Sequence, residues 1–361
     1  MTLRSICCPP LVAAAAAAIA LLGPYEGHLS GRQQVTISAA SVGPDPMGPL
    51  NDACEMDRSM LDIQIVARNP AVTGLAAKSV PGGWLVVDQG REGDARVGQD
   101  IVLVDERLVE VTRWTAGSNR RWDTPEVVGM TPTRGIVAVE NSALLVAGRP
   151  GLHPVTGEPT DAVSLDSSIV LYGSGEGIFE LDMNRRATAR LWSLEDFGMP
   201  WNREHGLAPR FWMRAQEDGT LYVAWKVQSS IWEIGRKSRP RRRVQGCVPE
   251  PLLHTHVNAP EVDFGTLEKT KVSISSIADF LVLESGEIIV LGSLSVGNHF
   301  HGSIDLYGVD GSLKNAWELP VRRAGARFAH SNPRRLLLFR SGTAERQLTL
   351  LHVEADGYPS R

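Results

Sequence analysis

The chain has 361 residues, of which 43% are hydrophobic and 22% are charged, and its formal net charge is −4. This composition excludes a disordered chain, and the small negative net charge excludes a protein whose whole surface binds nucleic acid. The length is sufficient for one large all-β domain or for two ordinary domains.

Residues 1–23 are predicted to be an export signal. One charge, Arg4, precedes an apolar run from Leu11 to Leu22, and a Gly-Pro pair ends the run. The run has the length of a signal-peptide core and is shorter than the ~20 residues that span a bilayer. A small-x-small cleavage site does not directly follow it, so an uncleaved membrane anchor is the alternative. We therefore expect a periplasmic or secreted protein, either free or anchored by this leader.

Residues 24–55 are rich in Ser, Gly, Pro and Asp and are predicted to be a linker. Two cysteines remain after the leader, Cys54 and Cys247. Because an exported protein meets an oxidising compartment, we predict one disulfide between them. Closing so long a loop would stabilise the fold by roughly 4–5 kcal/mol on the chain-entropy model. Two separate buried thiols are the alternative.

From residue 56 onward, a strand–turn–strand phrase recurs along the chain. One hairpin cannot bury both of its faces, so the copies are expected to pack against one another. A short apolar strand, entered by a turn such as Asp218-Gly219 or Ser285-Gly286, precedes each phrase. We therefore predict four-stranded antiparallel sheets stacked face to face. The phrases occupy residues 101–114, 178–192, 231–244 and 304–317.

The number of repeats is predicted to be five or six. Units at 78–114, 211–247, 279–318 and 327–354 are clear, whereas the stretch 134–193 holds more strands than one unit needs. That stretch is interpreted either as one unit with a long loop at 148–165 or as two units. The last unit lacks a fourth strand, and residues 61–67 near the N-terminus are predicted to supply it. Such closure removes exposed sheet edges.

These features resemble the bacterial exported six-bladed β-propellers of the NHL and TolB-like repeat group. The resemblance covers residues 56–356 and rests on the Asp-Gly and Ser-Gly strand entries and on the hairpins at 101–105 and 178–182. It implies an all-β propeller of four-stranded antiparallel blades, with six blades favoured and the N-terminal strand closing the last one. A pair of β-sandwich domains is the structural alternative.

The resemblance also implies a range of functions. The group includes binding scaffolds as well as lactonase-like and lyase-like enzymes, and its lactonase-like members hold Ca²⁺ in the central tunnel. Glu140, Asn141 and Asn332 lie at turns where such ligands occur, but they do not complete a ligand set. Turn formation by asparagine is the simpler explanation of these residues.

Two His-x-His pairs are candidate metal ligands. His254 and His256 lie in an insertion at 248–277, and His299 and His301 are predicted to lie in a loop before Ile304. Alternate residues of an extended segment share a side, so each pair could present two imidazoles together. Four nitrogen ligands would suit Zn²⁺ or copper. Two exposed polar loops are the alternative.

A run of six positive charges in eight residues falls in a turn and the outer strand that follows it in one unit. It could bind anionic lipid or other polyanions, whereas nucleic acid is not an expected partner of an exported protein. A solvated outer edge, where charge prevents edge pairing, is the alternative. The charged residues are Arg236, Lys237, Arg239, Arg241, Arg242 and Arg243.

The sequence lacks a Gly-x-Ser-x-Gly elbow, a His-Glu-x-x-His motif and a P-loop. It therefore favours a non-enzymatic protein that binds a partner protein or ligand through the loop face of the propeller. A metal-dependent hydrolase or lyase, with Zn²⁺ or Ca²⁺ in the central tunnel, is the alternative.

Overall fold

The structure is a computed structural model. It describes residues 58–88, 100–114, 126–130, 136–140, 143–146, 152–157, 159–166, 168–197, 211–216, 218–225, 230–235, 238–245, 273–296, 299–319, 325–339 and 347–360. All of them belong to the second of two units into which the chain divides, Thr36–Arg361. The leader, the linker at 24–55 with Cys54, and Cys247 lie outside the described residues, so the predictions for them stay predictions. No helix in the described part of the chain is long and apolar enough to cross a membrane.

Within these ranges the chain forms 25 β-strands and one short 3-10 helix, Glu195–Phe197. In chain order the strands are β1 (Ser59–Met60), β2 (Asp62–Asn69), β3 (Gly74–Val80), β4 (Gly83–Asp88), β5 (Asp100–Asp105), β6 (Glu110–Trp114), β7 (Glu126–Met130), β8 (Ile136–Glu140), β9 (Ala143–Val146), β10 (Leu152–Pro154), β11 (Pro159–Ser164), β12 (Ile169–Ser174), β13 (Gly177–Asp182), β14 (Ala187–Ser193), β15 (Phe211–Ala215), β16 (Leu221–Trp225), β17 (Ser230–Ile234), β18 (Arg241–Gln245), β19 (Ser273–Val282), β20 (Ile288–Val296), β21 (His299–Tyr307), β22 (Leu313–Leu319), β23 (Gly325–Phe328), β24 (Arg335–Phe339) and β25 (Leu348–Glu354).

The described strands pair into sheets of the predicted kind. Five sheets have four antiparallel strands each: β3 to β6, β7 to β10, β11 to β14, β15 to β18, and β23-β24-β25-β2. A further sheet contains β19 to β22 and a fifth strand, β1, which pairs in parallel with β22. The four-stranded pattern is therefore found in five sheets, and β1 makes the remaining one an exception.

The first strands of successive sheets are neighbours in space. Strand β7 lies between β3 and β11, β11 contacts β15, and β23 contacts both β19 and β3, while β19 reaches the β15–β18 sheet through β16. The sheets therefore form a ring in which each first strand lies nearest the axis. This is a β-propeller, so the all-β propeller prediction is confirmed and the two-sandwich alternative is wrong.

The stretch 134–193 does not contain one long loop. Strands β10 and β11 occupy half of the predicted loop at 148–165 and belong to two different sheets. The alternative of one unit with an inserted loop is therefore wrong. Strand β19 also begins within the predicted insertion at 248–277.

The N-terminal strand closes the ring as predicted. Strand β2 pairs antiparallel with β25, with Ile63 opposite Val353 and Ile65 opposite Leu351. Just before it, Leu61 N donates to Glu318 O at 3.2 Å, and Arg58 forms an ion pair with the buried Asp305 at 2.5 Å. Residues 58–69, which we call the N-terminal clasp, thus join the two last blades.

The core lies between the sheets, because each blade buries both of its faces against its neighbours. Trp84 and Trp317 are among its largest fully buried side chains. The Trp84 indole N–H reaches the Phe328 carbonyl at 3.1 Å and so ties the first blade to the last. These tryptophans are therefore core residues.

Gly177 opens strand β13 at a place where only glycine fits. Its φ is +137°, and a Cβ atom there would lie 2.1 Å from the Trp192 carbonyl oxygen. We expect Gly177→Ala to lower the free energy of unfolding by roughly 2–4 kcal/mol, because both the backbone strain and the collision oppose folding. Urea denaturation would measure it.

Gly82→Ala is the matched control for that substitution. Gly82 has a φ of +83°, but a Cβ atom would meet nothing within 4 Å. Only the left-handed backbone conformation opposes alanine there, at about 1 kcal/mol. Equal losses in the two variants would contradict the close contact at Gly177.

Candidate ligand site on the propeller axis

Five of the innermost strands each carry a charged side chain in their interior. We call these residues the axial cluster. Their strands are otherwise built mainly of small and apolar residues, such as Ala77 and Ala278. The residues are Lys78 on β3, Asp161 on β11, Arg214 on β15, Asp279 on β19 and Arg327 on β23.

Lys78 and Asp161 form a buried ion pair. The Lys78 ammonium donates to the Asp161 carboxylate and, at 2.9 Å, to the Ala162 carbonyl. The other Asp161 oxygen accepts the Met213 backbone N–H at 2.7 Å. Burial raises the pKa of the Asp161 carboxyl, and the Lys78 charge opposes that rise. Burial likewise lowers the pKa of Lys78 against the attraction of Asp161.

Arg214 links its strand, β15, to the innermost strand of the next blade, β19, and to β3 on the other side of the ring. Its Nη2 donates to Ser79 Oγ at 2.7 Å and to the two Asp279 carboxylate oxygens at 3.0 and 3.1 Å. One of those oxygens also accepts the Phe328 N–H at 2.9 Å. The Arg214–Asp279 pair therefore holds strands β3, β15, β19 and β23 together across the axis.

Arg327 is held by two aromatic rings and three carbonyls. Its guanidinium lies 4.4 Å from the centroid of the Trp212 ring and 5.3 Å from that of Phe339. Its Nε donates to Ala77 O at 2.9 Å, and its Nη1 donates to Ala278 O and Ala326 O at 2.8 Å each. Burial lowers the pKa of Arg327, but an arginine stays charged at neutral pH.

The axial cluster carries more positive than negative charge. Counted over the described side chains of the innermost strands, three cations face two carboxylates. Several arginine N–H groups also remain available, since Nε and Nη1 of Arg214 and Nη2 of Arg327 donate to no described residue. The axial cluster can therefore donate hydrogen bonds to a ligand and balance one further negative charge.

His330 follows β23 near this cluster. Its side chain is exposed, yet the surrounding protein lowers its pKa to about 4, first by desolvation and then through the Arg214 charge. The imidazole is therefore neutral at pH 7.

The pH dependence of stability should report His330. In the unfolded chain the imidazole takes up its proton near pH 6.5, and in the folded protein only near pH 4, so the unfolded state binds more protons between these values. We expect the free energy of unfolding to fall as the pH drops from 6.5 to 4, and to fall less in His330→Asn. Urea midpoints at pH 7 and pH 4.5 would show this, and equal losses in both proteins would contradict it.

Two of the four predicted histidine ligands lie within the described residues. His254 and His256 lie outside the described residues. His299 and His301 belong to strand β21, opposite Val296 and Leu294, and not to the predicted loop. Metal binding by the two pairs stays a prediction. Among the described residues, no group of three or more His, Cys, Asp or Glu is placed to hold a metal ion.

The turn residues considered for calcium are also placed in part. Asn332 Oδ1 accepts the Arg334 N–H at 3.0 Å and so shapes its turn. Glu140 is the last residue of β8, and Asn141 lies outside the described residues. The turn-forming role of Asn332 is therefore the one that its contacts support.

The described part of the basic run, at and just before strand β18, contains both exposed and buried arginines. Arg239 and Arg241 are exposed, and Arg242 lies 5.7 Å from the Trp232 ring centroid. Arg243 is buried and donates to Glu233 and, at 3.2 and 3.1 Å, to the carbonyls of Gly286 and Val309. Arg243 thus joins neighbouring blades and does not present its charge to an anionic surface.

Arg236 and Lys237 lie outside the described residues. Binding of an anionic surface by the exposed arginines stays a prediction.

No protein-family model matches the sequence, and no curated protein matches it. Solved structures resemble it in fold. A member of the DUF4221 family from Bacteroides vulgatus is 9% identical, with a TM-score of 0.51, over 82% of this chain and 99% of its own. Streptogramin B lyase is 12% identical, with a TM-score of 0.45, over 81% and 97%. Virginiamycin B lyase from Staphylococcus aureus is 8% identical, with a TM-score of 0.45, over 81% and 99%. At such identities the likeness concerns the β-propeller fold alone.

Proposed function

We propose that the protein is an exported, non-enzymatic, six-bladed β-propeller that binds a partner protein or a small ligand through its loop face. The count of six includes the five-stranded sheet as a blade. Export by the leader, the Cys54–Cys247 disulfide and contact of Arg239 and Arg241 with anionic surfaces belong to this proposal.

The engagement of both axial carboxylates supports binding over metal-dependent catalysis. Asp161 faces Lys78, Asp279 faces Arg214, and each carboxylate also accepts a backbone N–H. A divalent ion on the axis would have to displace these cations to gain carboxylate ligands. The three cations of the axial cluster would also repel it.

A ligand screen with product analysis tests this proposal. The full-length chain is melted with members of a small-molecule library, and each stabilising compound is then recovered and weighed by mass spectrometry. We expect some compound to raise the melting temperature in a concentration-dependent way and to be recovered unchanged.

A parallel assay offers lactones and esters with Zn²⁺, Ca²⁺ or a chelator, and heat-unfolded protein serves as the control. Turnover that the chelator abolishes and metal restores would overturn the proposal. The protein would then be a metal-dependent hydrolase or lyase.

A further inference from the structure

We propose that the axial cluster binds a small molecule through one carboxylate group, held by the free N–H groups of Arg214 and Arg327. This inference rests on the proposed function, because it names the chemical class of the ligand.

The two arginines lie at the same end of the ring. Each blade is an up-and-down meander, so the innermost strands of successive blades run in the same direction along the axis. Arg214 is the penultimate residue of β15, and Arg327 is the penultimate residue of β23. The exposed His330 follows β23 at this end. A ligand entering from that side therefore meets His330 first and the guanidinium groups next.

The donors are fixed before a ligand arrives. Arg327 is clamped by Trp212, Phe339 and three carbonyls, which leaves Nη2 unused among its described contacts. Arg214 donates through Nη2, and its Cζ lies 5.9 Å from the centroid of the Phe280 ring. Its side chain is 13% exposed, and its Nε and Nη1 donate to no described residue, so they remain to donate. Rigid guanidinium donors match the two oxygens of a carboxylate.

The charge of the cluster selects among anions. Over the described side chains of the innermost strands, three cations and two carboxylates leave one positive charge unbalanced. A monoanion balances it, whereas phosphate, which is mostly dianionic at pH 7.5, would leave a buried negative charge instead. A neutral ligand would leave the positive charge unbalanced. These comparisons favour a carboxylate.

Among the innermost strands, β7 has no described side chain. It contains one acidic residue, Glu126. Glu126 is the first residue of β7 and pairs with Val139. Arg214 and Arg327, in contrast, are next to the last residues of their strands. The backbone of Glu126 is thus at the other end of the ring.

Titration of the full-length chain with acetate at pH 7.5 and constant ionic strength tests the inference. Sodium chloride and inorganic phosphate are the comparison salts, and heat of binding and tryptophan fluorescence are the readouts. Since Trp212 stacks on Arg327, a carboxylate on Nη2 should change its emission. We expect saturable binding of acetate that is tighter than that of phosphate or chloride.

Arg214→Lys keeps a charge opposite Asp279 but removes the free guanidinium donors. We expect it to weaken acetate binding about tenfold, the effect of losing one charge-assisted hydrogen bond. Arg190→Lys, at an exposed position of the outer strand β14, is the matched control and should bind as the wild type does. If Arg214→Lys does not fold, the preference of the wild type for acetate over phosphate and chloride decides the question.

Failure of this inference differs from failure of the proposed function. The inference is overturned if acetate binds no better than chloride, or if a folded Arg214→Lys variant binds acetate as tightly as the wild type does. It is also overturned if acetate binds to a Glu126→Gln variant but not to the wild type. In each of these cases a library compound that binds and is recovered unchanged would leave the proposed function standing. Conversion of a bound compound to product would overturn the proposed function itself.

Discussion

Asp279→Asn is expected to lower the free energy of unfolding by about 3–5 kcal/mol, because it leaves the buried Arg214 without its counter-charge. Asp279 is 6% exposed and accepts from both Arg214 and the Phe328 backbone, so one substitution weakens the contact of three innermost strands. Asparagine has nearly the same size, so the loss would report charge and not packing. Urea denaturation followed by far-UV circular dichroism would measure it.

Glu287→Gln is the control for this experiment. Glu287 pairs with Lys314 at 2.6 Å, but the lysine side chain is 49% exposed. Exposed ion pairs contribute roughly 0–1 kcal/mol, so this variant should unfold almost as the wild type does. If Asp279→Asn were as stable as Glu287→Gln, the axial ion pair would not be important for the fold.

Deleting the N-terminal clasp, residues 58–69, is expected to prevent cooperative folding. The deletion removes the fourth strand of the last blade and leaves β25 as an open edge. It also removes the buried Leu61 and the Arg58 side chain that pairs with Asp305. Burial raises the pKa of the Asp305 carboxyl and the Arg58 charge opposes that rise, so the deletion leaves a buried carboxyl without its partner. Soluble yield and the presence of a sigmoidal thermal transition are the measurements.

A substitution that keeps the clasp in place is the control. Ile65 on β2 is 49% exposed, so Ile65→Ser leaves the strand and its pairing intact and should fold normally. A soluble deletion product that melts cooperatively would show that the ring does not depend on its N-terminal strand.

The ring and its closure could be predicted from the sequence because their signals are local. Hairpins such as β5–β6 carry apolar runs that end at a tryptophan, and the missing fourth strand follows from counting strands in the last unit. Blade boundaries were harder to predict. The β7–β10 sheet ends in a three-residue strand, Leu152–Pro154, and a segment that short has no readable alternation.

The axial cluster could not be predicted in the same way. A charged residue inside a short strand, such as Lys78 in β3, is typical of a solvent-exposed strand. The sequence pattern therefore does not identify such a strand as an innermost one. The residue that neutralises Lys78 lies 83 positions away, and the one that neutralises Arg214 lies 65 positions away. Charge pairing over such separations depends on the ring as a whole. One available signal was the recurrence of a single charge just before the second strand of a blade, as in Arg214 before Asp218-Gly219.

Arg243 shows the same limit on a smaller scale. It stands two residues from the exposed Arg241, within one run of like charges. The sequence shows the charge of each residue, but the approach of the next blade decides which arginine is buried between the carbonyls of Gly286 and Val309.

The N-terminal clasp has a consequence for the order of events during synthesis. Strand β2 leaves the ribosome long before its partner β25 has been synthesised, so the ring of blades stays open until the last strand has been made. During that interval the nascent chain presents an unpaired β-strand, and a molecular chaperone would find its target there. A chain that is truncated before residue 348 lacks β25, so its β2 has no strand to pair with and the ring cannot close.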